Sequence, residues 1–511
     1  MIARSKHDDG VVIVGSGLTG AIAAWTLVKA GIRTTMLEAG NSFPQDLHLR
    51  FRHRELRRPI TPPVRENTDY AEFVNLDDCA ARWIKAHRLG GRSNFWSGIV
   101  LRYAEQDFTE GEKLHPKFKW PIAYKDIEPY YQKVEQLIKV RGGRASASAL
   151  PACHLAKTRE IGREWQAIAQ ACAQSGRTLT ITPDVCGADT ILSTAATPQN
   201  IAVRLIGKLR RSNKFKLIPN ARATRVNTDN RQPLANAVEY INTQTGNHHK
   251  QRGKAVILAA GALSSPQILL NSTCPTFPQG LGNTQGLLGK YLHDHPLEYA
   301  TISTDFAFDR LNDREKGGLY ITRQNYEQSS PLQATALLLY GGCGNTQPTV
   351  LHEGLTSKSS PASPDRKCQI SACIFGTQIP SAENHISLHA EQKDRYGLPL
   401  LQISTRFNDR DLQNMSKARS LLPKLLEAAG HQVLNFSSQL EPPGTSVHYG
   451  GTARMHHSPQ HGVLDSWNRI HDIKNLFVVD ASCFTTCVEK NPSLTAMALS
   501  MRAAEKLIES I

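Results

Sequence analysis

Two side chains stand out for the chemistry they could do. His448 sits in SVHYGGTARM (446–455), just before two glycines, a threonine and an arginine. Asn491 opens NPSLT (491–495), ahead of a proline and an apolar run. An imidazole of ordinary pKa, near ~6.5, can act as a base close to neutral pH. An amide cannot take a proton, but it can donate a hydrogen bond. Each residue also has a plainer reading. His448 is one of 19 histidines, and Asn491 is a residue type that caps helices. His456, His457 and His461 crowd the same stretch. Neither a helix nor a cysteine–carboxylate cluster accompanies them, so they read as a polar loop and no metal site is expected.

The elements around these residues are legible from spacing. In NPSLTAMALSMRAAEKLIES, Leu494, Met497, Ala498, Met501 and Ile508 recur on one helical face. With Asn491 as cap and Pro492 in the first turn, that helix starts at a fixed point and turns a positive dipole end toward it. At the other end of the chain, Val11–Val14 form a buried strand, Gly15, Gly17 and Gly20 give G-x-G-x-x-G, a helix follows to Gly31, and TTMLE ends in Glu38. This strand–helix–strand context is what a dinucleotide site requires. Gly15 makes the turn, Gly17 lets the helix end approach a pyrophosphate, Gly20 lets helix and sheet pack, and Glu38 can accept from ribose hydroxyls. The motif does not distinguish NAD from FAD.

Three further clusters complete the pattern. HRLGGRSNFWSGIVLR (87–102) sets small residues beside Trp96. KAVILAAGALSSPQILLNS (254–272) reads as a buried strand, a small-residue turn, and a helix from about Ser265. LGKYLHDHP (288–296) ends with two histidines around an acid, and His293 and His295 read as structural. ENHISLHAEQKDRYGLPLLQI (383–403) alternates as two antiparallel strands, and 405–430 reads as a helix closing near Gly430.

Taken in order, these blocks, with KWPIAYKDIEPYYQKVEQLI (119–138) and VVDAS, resemble the glucose–methanol–choline (GMC) flavoprotein oxidoreductases, and within them the pyranose oxidase-like, sugar-oxidising members. The resemblance implies an α/β fold: a Rossmann-like FAD-binding domain plus a substrate domain with a mostly antiparallel sheet. It places the FAD domain at 1–47, 75–110, 200–296 and 446–511, and the substrate domain at 111–199 and 297–445, with 48–74 as a basic connection. It implies FAD as cofactor, held by Gly15, Gly17, Leu18, Thr19, Gly20, Glu38, Gly91, Ser93, Asn94, Phe95, Trp96, Ser97, Val226, Ala260, Asp480, Ala481, Asn491, Pro492 and Thr495. Asp480 would meet the ribityl chain, and Ser97 would keep a hydroxyl near flavin N5. His448 and Asn491 would face the flavin together, as base and as orienting donor, in the oxidation of a sugar or glycoside CH–OH to a carbonyl. Gly450 and Gly451 would let backbone pass close to the flavin, braced by Thr452 and Arg454. Where the pyranose oxidases carry a flavin-linking histidine, this chain has Phe95, which cannot make that bond, so dissociable FAD is expected. Alternatives are a dehydrogenase of a non-sugar alcohol, or a redox-neutral hydroxynitrile lyase-type flavoprotein. The electron acceptor is oxygen or another molecule.

Composition sets outer bounds. A length of 511 residues exceeds one ordinary core. The net charge of +15 is densest in 49–59 and 204–216 and reads as a solvated surface, or as attraction for an anionic substrate or acidic protein. No recognition module supports nucleic-acid binding. No apolar run approaches the ~18 residues of a membrane helix, and no secretory leader is evident, so a cytoplasmic protein is expected. Ten cysteines without a framework read as reduced thiols. The Ser/Pro/Thr/Gly-rich stretch 344–366 reads as a long loop or lid.

Overall fold

A computed structural model describes residues 10–41, 73–76, 81, 83–94, 96–144, 148–185, 200–229, 232–304, 318–326, 330–332, 334–342 and 368–511. The basic stretch 49–59 and the stretch 344–366 lie outside these residues. At the centre is a five-stranded parallel sheet in the order Leu476–Val478, Ala255–Leu258, Val11–Val14, Thr34–Leu37, Phe215–Ile218. All four residues of Val11–Val14 and of Ala255–Leu258 are buried. That follows from both faces of the parallel sheet being covered, which makes its strands continuously apolar rather than alternating. The Leu18–Lys29 helix crosses between the first two strands, and the C-terminal helix Ser493–Ile508 packs against it, with Ser500 Oγ donating to the Thr19 carbonyl at 2.7 Å. A three-stranded antiparallel sheet, Ala221–Thr228, Ala235–Asn242 and His248–Arg252, adjoins this layer.

The second layer is a six-stranded antiparallel sheet in the order Gln432–Phe436, Leu297–Thr304, Cys368–Gly376, Thr335–Gly342, Leu319–Ile321, Leu179–Ile181. Helices Gln166–Gln174 and Asp409–Glu427 close its core through Ile168, Cys172, Leu422 and Leu426. Asn408 caps the longer helix by accepting from Arg410 and Asp411 N–H at 2.9 and 3.0 Å. The chain leaves it at Gly430, whose φ of +77° suits glycine. The alternating segments pair as their periodicity requires: His385–Lys393 runs antiparallel to Pro399–Ser404, with Ile386 opposite Ile403.

The segment 111–199 does not belong as a whole to the second layer. The amphipathic helix Tyr124–Ile138 turns Ile127, Tyr131, Val134 and Ile138 into the core of the parallel sheet, against the C-terminal helix. Its apolar face finds that helix first, and the Tyr131 hydroxyl bonds Thr495 Oγ1 at 2.8 Å. The short strand Phe73–Asn75 pairs with Pro399–Ser404, a contact that three residues of sequence could not announce. Among the described residues Cys153, Cys172, Cys274, Cys373, Cys483 and Cys487 are free thiols.

Candidate active site

His448 Nε2 lies 3.1 Å from Asn491 Nδ2, and His448 Nδ1 lies 3.1 Å from Nδ1 of His295. The amide nitrogen can only donate, so Nε2 accepts and the imidazole proton sits on Nδ1. From there it points at His295, whose ring is in turn hydrogen-bonded to the Val488 backbone. Burial pushes His448 well below the usual histidine range, and the neighbouring His295 and Arg92 push it the same way. His295 is 2% exposed and lowered to about 3, by burial. Both rings are therefore neutral near pH 7, and Nε2 carries the ring's lone pair, which accepts from the Asn491 amide. Phe375 closes one side of the pair, with ring centroids 5.7 Å from each histidine.

The loop that carries His448 is held by Asp294. One carboxylate oxygen accepts from His448 N–H at 2.8 Å and from the Ser446 hydroxyl, and the other from Gly444 N–H at 2.9 Å. Burial raises Asp294 to about 6 against these three bonds. His293 pairs with Gly450 through both backbone bonds, at 3.1 and 3.0 Å. A Cβ at Gly450 would meet His293 Nε2 at 2.4 Å, and one at Gly451 (φ +89°) would meet the Tyr291 carbonyl at 2.1 Å. The room these glycines leave is thus filled by His293 and Tyr291. Thr452 and Arg454 do brace the turn. Thr452 Oγ1 donates to the Ala262 carbonyl at 2.5 Å, and the Arg454 guanidinium lies 3.5 Å over the Tyr291 ring. His293, Asp294 and His295 therefore act on the site together, where the sequence suggested structural roles for the two histidines and none for Asp294. Their signal was the polar H-D-H between the buried Leu292 and Leu297.

Asn491 does not cap the C-terminal helix. Pro492 occupies the cap position, without a side-chain bond, which frees the Asn491 amide for His448.

Beyond the carboxyl end of the Val11–Val14 strand the two glycine loops meet. A Cβ on Gly91 would lie 3.5 Å from Gly17 Cα, while one on Gly17 would meet nothing within 4 Å. Gly15 has φ +101°, and its Cβ would strike the Ala259 carbonyl at 2.5 Å; the Cβ of Gly20 would strike the Gly15 carbonyl at 2.1 Å. The helix behind Gly17 has no side-chain cap bond and no acid in its first turn, where Leu18 and Thr19 stand. Glu38, 4% exposed, takes Gly40 N–H at 2.7 Å, Ser16 N–H at 3.1 Å and the Ser16 hydroxyl.

Two models of the family described as GMC oxidoreductase match the chain, one over residues 11–297 and the other over 380–500. The chain is a GMC oxidoreductase. The family's relatives of this chain are FAD-dependent oxidases and dehydrogenases of CH–OH groups. Among them, 6'''-hydroxyparomomycin C oxidase of Streptomyces lividus is 25% identical over 97% of this chain and 91% of its own. The 2-methyl-1,2-propanediol dehydrogenase of Mycolicibacterium austroafricanum is 25% identical over 99% and 96%. The crystal structure of a formate oxidase shares the fold, with a TM-score of 0.67 at 15% identity over 98% of both chains.

The residues of this GMC oxidoreductase fit an FAD at the first glycine loop. An uncapped helix end, a glycine whose Cβ would project into open space, and the facing Gly91 form a cradle for a pyrophosphate. Other residues expected near the cofactor also make bonds within the protein. Ser93 and Asn94 bond Asn200, the cap of the Ile201–Leu209 helix, at 2.9 and 2.8 Å. Asp480 receives Gly261 N–H, the Ser265 hydroxyl, and Ser482 through N–H and hydroxyl, so it locks the AAGA turn to the VVDAS strand end. Ala260 N–H goes to Ser265 Oγ, and the Ala481 carbonyl to Gly451 N–H. Val226 N–H goes to Ser272 Oγ at 2.8 Å, five residues beyond Ala221, which bonds the Glu38 carbonyl. Thr495 is fully buried, with its hydroxyl bonded to that of Tyr131. Trp96 packs on the main core, Ser97 is exposed, and Phe95 lies outside the described residues. Among the described residues no helix is long and apolar enough to cross a membrane, and no three metal-ligating side chains cluster.

Proposed function

We propose that this GMC oxidoreductase oxidises a CH–OH of a sugar or glycoside to the carbonyl, with His448 as base, Asn491 orienting the substrate oxygen, and FAD bound without a covalent link. The observation that carries the reading is the 3.1 Å contact between the neutral His448 Nε2 and the Asn491 amide. One alcohol oxygen can meet both groups: its proton faces Nε2, and its lone pair takes the amide N–H. FAD supplies the acceptor for the carbon-bound hydrogen and its electron pair. His448 Nε2 takes the hydroxyl proton, and the Nδ1 proton keeps its bond to His295. The amide bond to the substrate oxygen fixes which hydrogen is presented. Asp294 keeps the base in place through its grip on the 444–448 loop.

A sugar or glycoside is favoured because oxidases named for such substrates recur among the relatives, the hydroxyparomomycin oxidase with them. The diol dehydrogenase supports the second reading, a smaller non-sugar alcohol. Dissociable FAD rests on Phe95, since a phenyl ring has no nucleophile to offer the flavin. The test mixes the yellow holoenzyme anaerobically with glycosides, free sugars and short diols while the flavin absorbance is followed. Bleaching by glycosides supports the reading, and bleaching by diols alone transfers it to the second. Cyanohydrin cleavage without bleaching would replace both. Acid precipitation should leave the yellow colour in solution; colour retained in the pellet would overturn the non-covalent link.

A further inference from the structure

Directly before Asn491 the chain buries two opposite charges. Glu489 is 1% exposed and Lys490 is fully buried. Lys490 Nζ donates to Asp107 Oδ2 and to Glu489 Oε1, both at 2.8 Å. Asp107, also fully buried, belongs to the turn Glu105–Phe108 and further accepts the Tyr326 hydroxyl at 2.7 Å and Ala104 N–H at 2.7 Å. Arg323 stands two residues past the Leu319–Ile321 strand of the six-stranded sheet. It forms a two-pronged pair with Glu110 at 2.9 and 2.9 Å, and its Nη1 lies 3.9 Å from both Asp107 and Glu489. Three carboxylates and two cations from three separate parts of the chain thus meet out of water.

Such a cluster is a poor source of stability, because desolvating each charge offsets most of the attraction. What it supplies is a fixed geometry: an ammonium held by two carboxylates has one place to be. That place is one residue from Asn491. The neighbouring residues are tied as well. The Val488 backbone is bonded to the His295 ring, Glu489 to Lys490, Lys490 to Asp107, and Asn491 to His448. Four consecutive residues are therefore pinned, and the bonds at both ends of the run reach the histidine pair. The pull of the carboxylates outweighs burial and raises the Lys490 ammonium above its ordinary value, so it stays charged.

We propose that Lys490, clamped between Asp107 and Glu489, is a positioning residue for the reaction, setting where Asn491 presents its amide to His448 and to the substrate oxygen. This rests on the alcohol-oxidising reading given above. Lys490 touches neither substrate nor base; it acts through the backbone it shares with Asn491.

The experiment is a double-mutant cycle on the FAD-loaded enzyme with Lys490→Met and Asn491→Ala, measuring kcat and KM separately, bound FAD and thermal midpoint. A misplaced amide should cost kcat on the order of 100-fold. Lys490→Met should therefore lower kcat by about that factor, with FAD content retained. In the Asn491→Ala background it should cost almost nothing more, because the group it positions is already gone. Additive losses, or a lowered thermal midpoint with kcat unchanged, would show a merely structural lysine and overturn the proposal. Should Lys490→Met not fold, the near-isosteric Asp107→Asn takes its place in the same cycle, with the same expected non-additivity and the same overturning result. If the wild type bleaches with an alcohol and the cycle is additive, only the positioning role falls. If no alcohol bleaches the wild type, the functional reading falls and this inference with it.

Discussion

Asn491 Nδ2 and His448 Nε2 are 3.1 Å apart, and this contact decides which nitrogen of the imidazole carries the lone pair. Because the amide donates, the proton of the neutral ring is on Nδ1 and is shared toward His295. Losing the base and losing the amide should then differ in kind. His448→Ala should lower the rate of anaerobic flavin reduction by about 100- to 10,000-fold with FAD still bound. Asn491→Ala should lower it less and raise KM as well. Equal reduction rates for wild type and His448→Ala in stopped flow would remove His448 from the reaction.

The pH profile should lack an ordinary histidine limb. A solvated imidazole base would be half-protonated near pH ~6.5. Burial and the neighbouring His295 and Arg92 lower His448, so its protonation sets in at lower pH and the base form persists through 6.5. A decline near pH 6 is expected instead from Asp294, raised to about 6, whose protonation weakens its hold on Gly444, Ser446 and His448. Asp294→Asn should delete that step from the kcat/KM profile, whatever its absolute rate. The stability effect has the opposite sign. A carboxyl raised from 3.8 to about 6 favours the folded state below 3.8, and that contribution is lost as pH rises through 6.

Two glycine substitutions should separate cofactor binding from packing. Gly17→Ala adds a methyl that meets no protein atom within 4 Å, so the thermal midpoint of FAD-free protein should hardly move while FAD affinity falls. Gly450→Ala drives a methyl to 2.4 Å from His293 Nε2 and should cost about 1–3 kcal/mol of stability. Chemical denaturation with and without added FAD reads both effects. A Gly17→Ala protein with unchanged FAD affinity would move the pyrophosphate site elsewhere.

The Tyr124–Ile138 helix is fastened to the chain entering the second layer by Arg102 and Glu135, paired at 2.7 and 2.6 Å with both side chains buried. Glu135 also takes His154 N–H at 2.7 Å. Arg102→Met leaves that carboxylate without its cation and should destabilise the protein by about 3–5 kcal/mol. A denaturation midpoint equal to wild type would show that the pair contributes nothing.

The nucleotide loop was legible because each glycine answers a local backbone demand: a turn at Gly15, an approach at Gly17, a helix contact at Gly20. The His448–Asn491 pairing came from resemblance, since 43 residues separate the two and no periodicity links them. Asp294 and His295 stayed hidden because their role depends on a crossing between distant segments. Lys490 was hidden for a different reason. A glutamate–lysine pair followed by Asn-Pro has the composition of a solvated turn, and only burial reveals that it is not one. The bond of the Thr495 hydroxyl to a tyrosine on another helix was hidden in the same way.

Three consecutive residues, His293, Asp294 and His295, each fasten a different part of the loop that bears the base. For an engineer moving this chemistry onto another scaffold, the histidine and the asparagine would not suffice as a graft. The tripeptide must come with them, together with the paired glycines that let it lie so close, and a register error of one residue would lose all three fastenings at once.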